Sequence, residues 1–338
     1  MTQPATEVSP QLFWDTMTAY QRTAALKAAV DLEIFTRIGE GNRSASEIAT
    51  ASGATERGVR ILCDSLTVMG FLYKNGAEYS LTESTAAFLD KRSPLYLGSA
   101  LTFILSPQQL RGFEDLTNAV KNGGSSIKGD ASMDPNSEMW VTFARSMAPL
   151  MYPTAEAVAA NIGFDSGRKL KVLDIAAGHG IFGIMVGKRY PNAEIYGADW
   201  ENVLAVAREN ADTHGVGDRY HTIPGDAFES DFGTGYDVIL VPNFLHHFDH
   251  ETCVSFIRKL GAAITEGGKV ITVEFVPNDD RTTPPTPAMF SLVMLAATPG
   301  GDAYTFAELR EMFEAGGFSQ SEMIRLDPMP QTLVISSK

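Results

Sequence analysis

At 338 residues the chain exceeds what one hydrophobic core usually organises, so two domains are expected. A hydrophobic content of 44% with 20% charged residues suits a soluble globular protein, and no apolar run reaches the ~18 residues needed to cross a bilayer. With 41 acidic against 27 basic side chains the net charge is −14, which argues against a nucleic-acid partner, since such binding depends on Lys and Arg neutralising phosphates.

The opening MTQPATEVSP has neither a basic start nor an apolar core, so no secretory signal is expected. Cys63 and Cys253 are too few and too far apart for a disulfide framework or a zinc site, and no metal is expected. A reduced, cytoplasmic setting fits them best. Phe13, Trp14, Met17 and Tyr20 form a dense apolar cluster, of the kind that marks an interface when exposed.

To about residue 90 the pattern is helical and short-stepped. Leu26, Val30 and Ile34 share a helical face across AALKAAVDLEIF, and Gly39-Glu40-Gly41 ends that region. Ser44 or Ser46 can cap the next helix, with Glu47 supplying negative charge near its start. A turn at Ser52-Gly53 leads to a helix with Val59, Leu62, Leu66 and Met69 on its apolar side. FLYKNGAEYSLT then reads as a hairpin turning at Asn75-Gly76. Helix, turn, helix, hairpin is a winged-helix order. Arg57 and Arg60 of the would-be recognition helix are offset by Glu56 and Asp64, and residues 1–92 hold 9 basic and 11 acidic side chains. A dimerisation scaffold is therefore expected rather than a DNA reader.

Residues 95–160 look like connecting helices interrupted by KNGGSSIKGD (121–130). From Lys169 strands alternate with helices: KVLDIAA, AEIYGAD, YHTIPGD, YDVILVP, KVITVEFV and TLVISS are the strand-like runs. This alternation predicts a parallel-rich sheet covered on both faces. AMFSLVMLAA (288–297) reads as a buried helix.

The first strand of that sheet runs into AAGHGIFG, where Gly178, Gly180 and Gly183 have the GxGxxG spacing. Glycines there let backbone approach a ligand, and the helix start favours electron-rich groups, but the spacing alone also suits a dehydrogenase. The second strand ends in Asp199-Trp200, where a carboxylate can accept from both ribose hydroxyls. The third leads to GDAF (Gly225 to Phe228), placing Asp226 where it can accept from the exocyclic amine of adenine.

With VLDIAAGHG, AEIYGADW and GDAF in this order, the sequence resembles the class I S-adenosylmethionine-dependent methyltransferases. Over the whole chain it is similar to the caffeate and acetylserotonin O-methyltransferase-like family, which includes bacterial natural-product enzymes. That resemblance implies an α/β, Rossmann-like class I methyltransferase domain over residues 165–338. It also implies a mostly helical winged-helix-like dimerisation domain over 1–105, with connector and pocket helices over 106–164. The implied cofactor is S-adenosylmethionine, held by Asp174, Gly178, Gly180, Asp199, Trp200, Asp226, Ala227 and Phe228. The implied partners are a second copy of the chain and a small aromatic substrate, with no nucleic acid or membrane.

In VPNFLHHFDHETC, His246 matches the general base of the family's HDWSDEHC-like segment, and His247 takes its aspartate position. A neutral imidazole can remove a phenolic proton as the hydroxyl attacks the sulfonium methyl. Adjacent side chains diverge, so only one of the two is expected to face substrate. Glu274, in ITVEFVP, matches the carboxylate that orients the histidine. Phe143, Met147 and Met294 align with residues of the aromatic pocket. Two positions depart from plant relatives: Ala303 stands where they carry a second glutamate, and Pro242 where they carry a lysine. The implied activity is O-methylation of a small aromatic or polyketide-like hydroxyl. C- or N-methylation, hydroxylation on the same scaffold, and a cofactor-binding winged-helix regulator without turnover are the alternatives.

Overall fold

Helix starts near the N-terminus are fixed by side-chain oxygens that take up free backbone N–H groups. The computed structural model describes residues 8–125, 127 and 138–338. Its first elements are α1 (Gln11–Asp31), α2 (Ile34–Gly39), α3 (Ala45–Ser52) and α4 (Glu56–Val68). Ser44 accepts from the Glu47 N–H while Glu47 accepts from the Ser44 N–H, a closed capping box on α3, and Thr55 caps α4. The single helix expected through AALKAAVDLEIF is broken instead. Glu33 turns left-handed (φ 56°), and the restart at Ile34 brings Ile34 and Phe35 together into the core around Ala29.

A hairpin follows, β1 (Leu72–Asn75) and β2 (Glu78–Leu81), and then α5 (Glu83–Phe88). Asn75 pairs with Glu78, so the two turn residues are Gly76 and Ala77, one step later than the expected Asn75-Gly76. Gly76, at φ 60°, occupies the first central position, where a II′ turn demands a positive φ. The helix–turn–helix–hairpin order is present. Ile48, Cys63, Leu66 and Tyr79 complete the core of this part.

The next helices are α6 (Ala100–Ile104), α7 (Pro107–Glu114), α8 (Leu116–Asn122) and α9 (Glu138–Asn161). Of the loop expected at 121–130, residues 121 and 122 end α8, while 126 and 128–130 lie outside the described residues. The chain then alternates through β3 (Lys171–Ile175), α10 (Ile181–Arg189), β4 (Glu194–Asp199), α11 (Glu201–Thr213), β5 (Tyr220–Pro224), β6 (Tyr236–Pro242), α12 (His250–Ala263) and β7 (Ile264–Glu274). It finishes with α13 (Pro285–Ala297), α14 (Phe306–Ala315), β8 (Gln320–Arg325) and β9 (Thr332–Ser337). The described chain divides into two compact units, Met1–Leu101 and Thr102–Lys338. Among the described residues no helix is long and apolar enough to cross a membrane.

The seven strands of the second unit are ordered β5-β4-β3-β6-β7-β9-β8, with β3 to β7 parallel and the last two antiparallel. Side chains alternate between two apolar layers. Val172, Val238, Leu240, Ile271 and Val273 face α9 and α10, whereas Leu173, Ile175, Ile239, Val241 and Val270 face α12 and α14. β8 was not anticipated: it is the edge strand, and its QSEMIR sequence has the polar, half-exposed texture an edge allows. α13 is not the fully buried helix expected of AMFSLVMLAA, since Met289 is exposed. β4 and β5 lie to one side of β3, and β6 and β7 to the other. The order reverses beside β3, and a crevice opens there at the carboxyl ends of the strands.

Candidate active site

Non-glycine residues with positive φ mark both walls of that crevice: Ala176 (48°) after β3 and Asn243 (52°) after β6. A cavity of about 830 Å³ extends from them. On the β3 side the turn Ala176–Gly180 is pinned by short bonds. Ala177 donates to the Ala198 carbonyl and Gly178 donates to Asp199 Oδ2 at 2.8 Å. Gly178 is left-handed (φ 58°), and a Cβ built on it would rest in ordinary contact with the Ala176 carbonyl oxygen (3.7 Å) and the Phe143 ring (3.8 Å).

Asp199 and Trp200 line the cavity, as do Asp226, Ala227 and Phe228. Asp199 Oδ1 accepts from the Trp200 N–H, and Asp226 Oδ1 from the Phe228 N–H at 2.7 Å. Enclosure pushes the Asp199 carboxyl up to about 6, against the pull of the two backbone N–H groups. Two residues expected on the cofactor do not reach the wall. Asp174 is fully buried beneath α10, where it accepts from the Gly183 N–H, and burial pushes it up to about 8. Gly180 faces Ala207 and the Tyr220 hydroxyl, each 3.0 Å from a built Cβ, so its lack of a side chain serves packing.

On the β6 side, His246 lies in a short 3₁₀ turn and is buried to 4% exposure. Its Nδ1 is 2.5 Å from Glu274 Oε2, while Glu274 Oε1 accepts from the Phe244 and His246 N–H groups. One carboxylate thus fixes both the ring and its backbone, with Nδ1–H donating and Nε2 left as an acceptor. Both histidines line the cavity, as expected of His246 as candidate base and His247 as a pocket residue, with their rings 4.4 Å apart. Burial pushes His247 well below the ordinary imidazole range, with His246 adding to the effect, so it stays neutral.

Phe143, Met147 and Met294 all face the cavity. Sequence reasoning missed their neighbours Trp140 and Met151, although 140, 143, 147 and 151 share one face of α9. It also missed Phe290, whose ring meets His246 edge-on at 4.9 Å and stacks on Phe275 at 4.0 Å. Phe290 and Met294 are four apart on α13, the spacing that could have found it. His179, Asn243 and Gln331 add to the polar wall, with Gln109, Asp249 and Thr298, and carried no readable signal. At the departure position Pro242 does line the cavity. The cation near GDAF comes from α12 instead: Lys259 donates to the carbonyls of Ala227 (2.9 Å) and Phe228 (2.8 Å).

A family model described as an O-methyltransferase domain matches residues 129–319, and one described as an O-methyltransferase dimerisation domain matches residues 14–91. The chain belongs to the O-methyltransferase family. This family uses S-adenosylmethionine as its methyl donor. Within it, a crystal structure described as an O-methyltransferase of Nostoc punctiforme PCC 73102 is 49% identical. The match covers 98% of this chain and 100% of that one at a TM-score of 0.93. The 3-hydroxy-5-methyl-1-naphthoate 3-O-methyltransferase of Streptomyces sahachiroi is 26% identical over 328 residues, 95% of this chain and 93% of that protein. Human N-acetylserotonin methyltransferase, solved with S-adenosylmethionine, is 19% identical over 100% of this chain and 99% of that one. Its TM-score of 0.86 shows the shared fold.

Proposed function

We propose that this O-methyltransferase-family chain methylates a hydroxyl of a small aromatic or polyketide-like acceptor, with His246 as general base. The observation that carries the reading is the Glu274–His246 pair at the rim of a cavity walled by aromatic and thioether side chains. The residues present fit the cofactor. Asp199 and Asp226 stand at successive strand ends with acceptor lone pairs to spare, and Gly178 presents bare backbone to the cavity. Asp199 would hold the ribose hydroxyls, with Trp200 beside it. Asp226, Ala227 and Phe228 would hold the adenine.

Bound there, S-adenosylmethionine supplies an electrophilic methyl group for transfer to the acceptor oxygen. The chain's own work is positioning and proton removal. Glu274 keeps His246 in the Nδ1–H tautomer, so Nε2 can take the hydroxyl proton, and it stabilises the imidazolium that results. His247, Phe143, Met147 and Met294 would hold a flat acceptor, polarizable surface against polarizable surface. We read the first unit as a winged-helix-like scaffold for a homodimer, with the exposed Phe13, Trp14, Met17 and Tyr20 of α1 at its interface. Two free, buried cysteines suit a reducing cytoplasm.

The test is to incubate the full-length protein with S-adenosylmethionine and a panel of phenols and hydroxynaphthalenes, then locate any transferred methyl by mass spectrometry and NMR. An O-methyl product whose formation needs His246 supports the reading. A carbon- or nitrogen-bound methyl, or cofactor binding with no product from any member, overturns it.

A further inference from the structure

His179 sits between the two left-handed glycines of the cofactor turn, 3% exposed and on the cavity wall. Its position is fixed from several sides. Nδ1 accepts from the Ile181 N–H at 3.2 Å, the ring stacks between Phe143 (6.3 Å) and Phe182 (6.0 Å), and its carbonyl accepts from Asn210 Nδ2 at 2.8 Å. Because Nδ1 accepts, the neutral ring carries its proton on Nε2. That N–H has no protein partner among the described residues. The sealed, unpartnered polar atoms of the described chain belong to Arg37, Asp174, Tyr220, Asn243 and Thr272, so Nε2 is not sealed, and the residue opens on the cavity.

A phenylalanine could make the same ring contacts, so what the histidine adds here is an Nε2–H donor open to the cavity. We propose that His179 donates its Nε2–H to the α-carboxylate of the cofactor's amino-acid end. The proposal rests on the S-adenosylmethionine reading of the cavity. Three observations select the carboxylate. Asp199 and Asp226 are acceptors and suit the donor-bearing nucleoside. Ile181, two residues on, opens the nine-residue helix α10, whose start favours negative charge. Among the described residues the cavity wall has no Lys or Arg, so neutral N–H groups must take an anion. Burial pushes His179 down to about 4, so it remains a neutral donor throughout the physiological range.

The experiment is titration calorimetry of the full-length protein with S-adenosylhomocysteine and with 5′-methylthioadenosine, which lacks the amino-acid end. Two variants are compared with wild type. His179→Phe keeps the aromatic stack. His179→Asn keeps a side-chain acceptor within reach of the Ile181 N–H, as an Asx turn does. Loss of one hydrogen bond to a charged group should weaken S-adenosylhomocysteine by roughly 10- to 100-fold in both variants. Binding of 5′-methylthioadenosine should stay within about twofold, since the contact it lacks is the one removed. Equal losses for both ligands would mean that His179 serves the nucleoside or only braces the turn, which overturns the proposal, as does unchanged S-adenosylhomocysteine affinity. Wild-type protein that binds neither ligand would instead remove the cofactor reading on which it stands.

Discussion

Replacing Glu274 with Gln preserves shape but turns one carboxylate oxygen into an NH₂ group, and the geometry dictates which. Oε1 accepts two backbone N–H groups, from Phe244 at 3.1 Å and His246 at 3.3 Å, whereas Oε2 accepts only from the imidazole. An NH₂ turned toward the backbone would leave two buried donors unpaired, at about 1–3 kcal/mol each. Turned toward the ring it opposes one donor, and the imidazole relieves that by moving its proton from Nδ1 to Nε2. Glu274→Gln therefore selects the tautomer that cannot accept a phenolic proton. On a phenolic acceptor that wild type methylates, kcat should fall by about 10²–10⁴, the range for a general base. His246→Ala should fall similarly, and the double variant no further than either single. A phenol ionises near pH ~10, so the residual rate should climb about tenfold per pH unit toward that value. Calorimetric affinity for S-adenosylhomocysteine should stay at the wild-type level. A Glu274→Gln enzyme turning over close to wild type, or losses that multiply in the double variant, would refute the reasoning.

Asp199→Ala should weaken S-adenosylhomocysteine at least tenfold by calorimetry, since two charge-assisted bonds of about 1.5–3 kcal/mol each are lost. With its carboxyl pushed up to about 6, Asp199 gains a proton below that pH and loses acceptor capacity, so wild-type affinity should fall from pH 7 to pH 5. Asp199→Asn, being always neutral, should show no such fall. Asp174 lies off the cavity wall, so Asp174→Asn should leave cofactor affinity unchanged. Its carboxyl, raised from 3.8 to about 8, keeps a proton in the folded state that the unfolded chain releases. Wild-type stability should accordingly decline as pH rises from about 4 to about 8. Thermal melts of Asp174→Asn should lose that part of the slope, and an unaltered profile would refute the burial argument. Light scattering should show a dimer for wild type and a monomer for the Trp14→Asp, Met17→Asp double variant; a monomeric wild type would end the α1 interface proposal.

What was legible in the sequence follows periodicity. Strand–helix alternation was enough to set Asp199 and Asp226 at strand ends, because a strand's carboxyl end is where its chain turns into the crevice. It could not say which face of β3 Asp174 occupies. Leu173 and Ile175 point into one layer, so Asp174 points into the other, under α10, and grips the Gly183 N–H instead of a ligand. Phe143, Met147 and Met294 were readable through the family resemblance rather than through spacing, which marks a core face as readily as a pocket wall. The same helical faces also hold Trp140, Met151 and Phe290. Gln331 was out of reach for a different reason. It joins the wall because β9 returns antiparallel beside β7, pairing Thr332 with Glu274, and no local pattern encodes that return. Asn243 depends on a left-handed backbone, and His179 on a stack between Phe143 of α9 and Phe182 of α10, which meet only in the folded chain.

Position 303 carries an alanine, and the ring of His246 is held by Glu274 and by its aromatic neighbours. Its Nδ1 is engaged by Glu274, the His247 ring lies 4.4 Å away, and Phe290 meets it edge-on at 4.9 Å, itself stacked on Phe275. The backbone is held as well. A Cβ on Gly301 would lie 2.2 Å from the His246 carbonyl oxygen, so the chain there presses directly on the histidine pair, and the Tyr304 hydroxyl donates to the Phe248 carbonyl at 2.6 Å. Ala303, 1% exposed, sits in sequence between those two contacts. Ala303 lies off the cavity wall, and the guanidinium beside its sequence neighbour Asp302, that of Arg281, is already paired with Asp302, so a glutamate at 303 would bury a second charge without a cation of its own. Here one carboxylate engages the ring, and aromatic packing restrains it further. Glu274 is then the one carboxylate that sets the tautomer of His246, which is why changing a single oxygen of that residue should cost as much as deleting the imidazole.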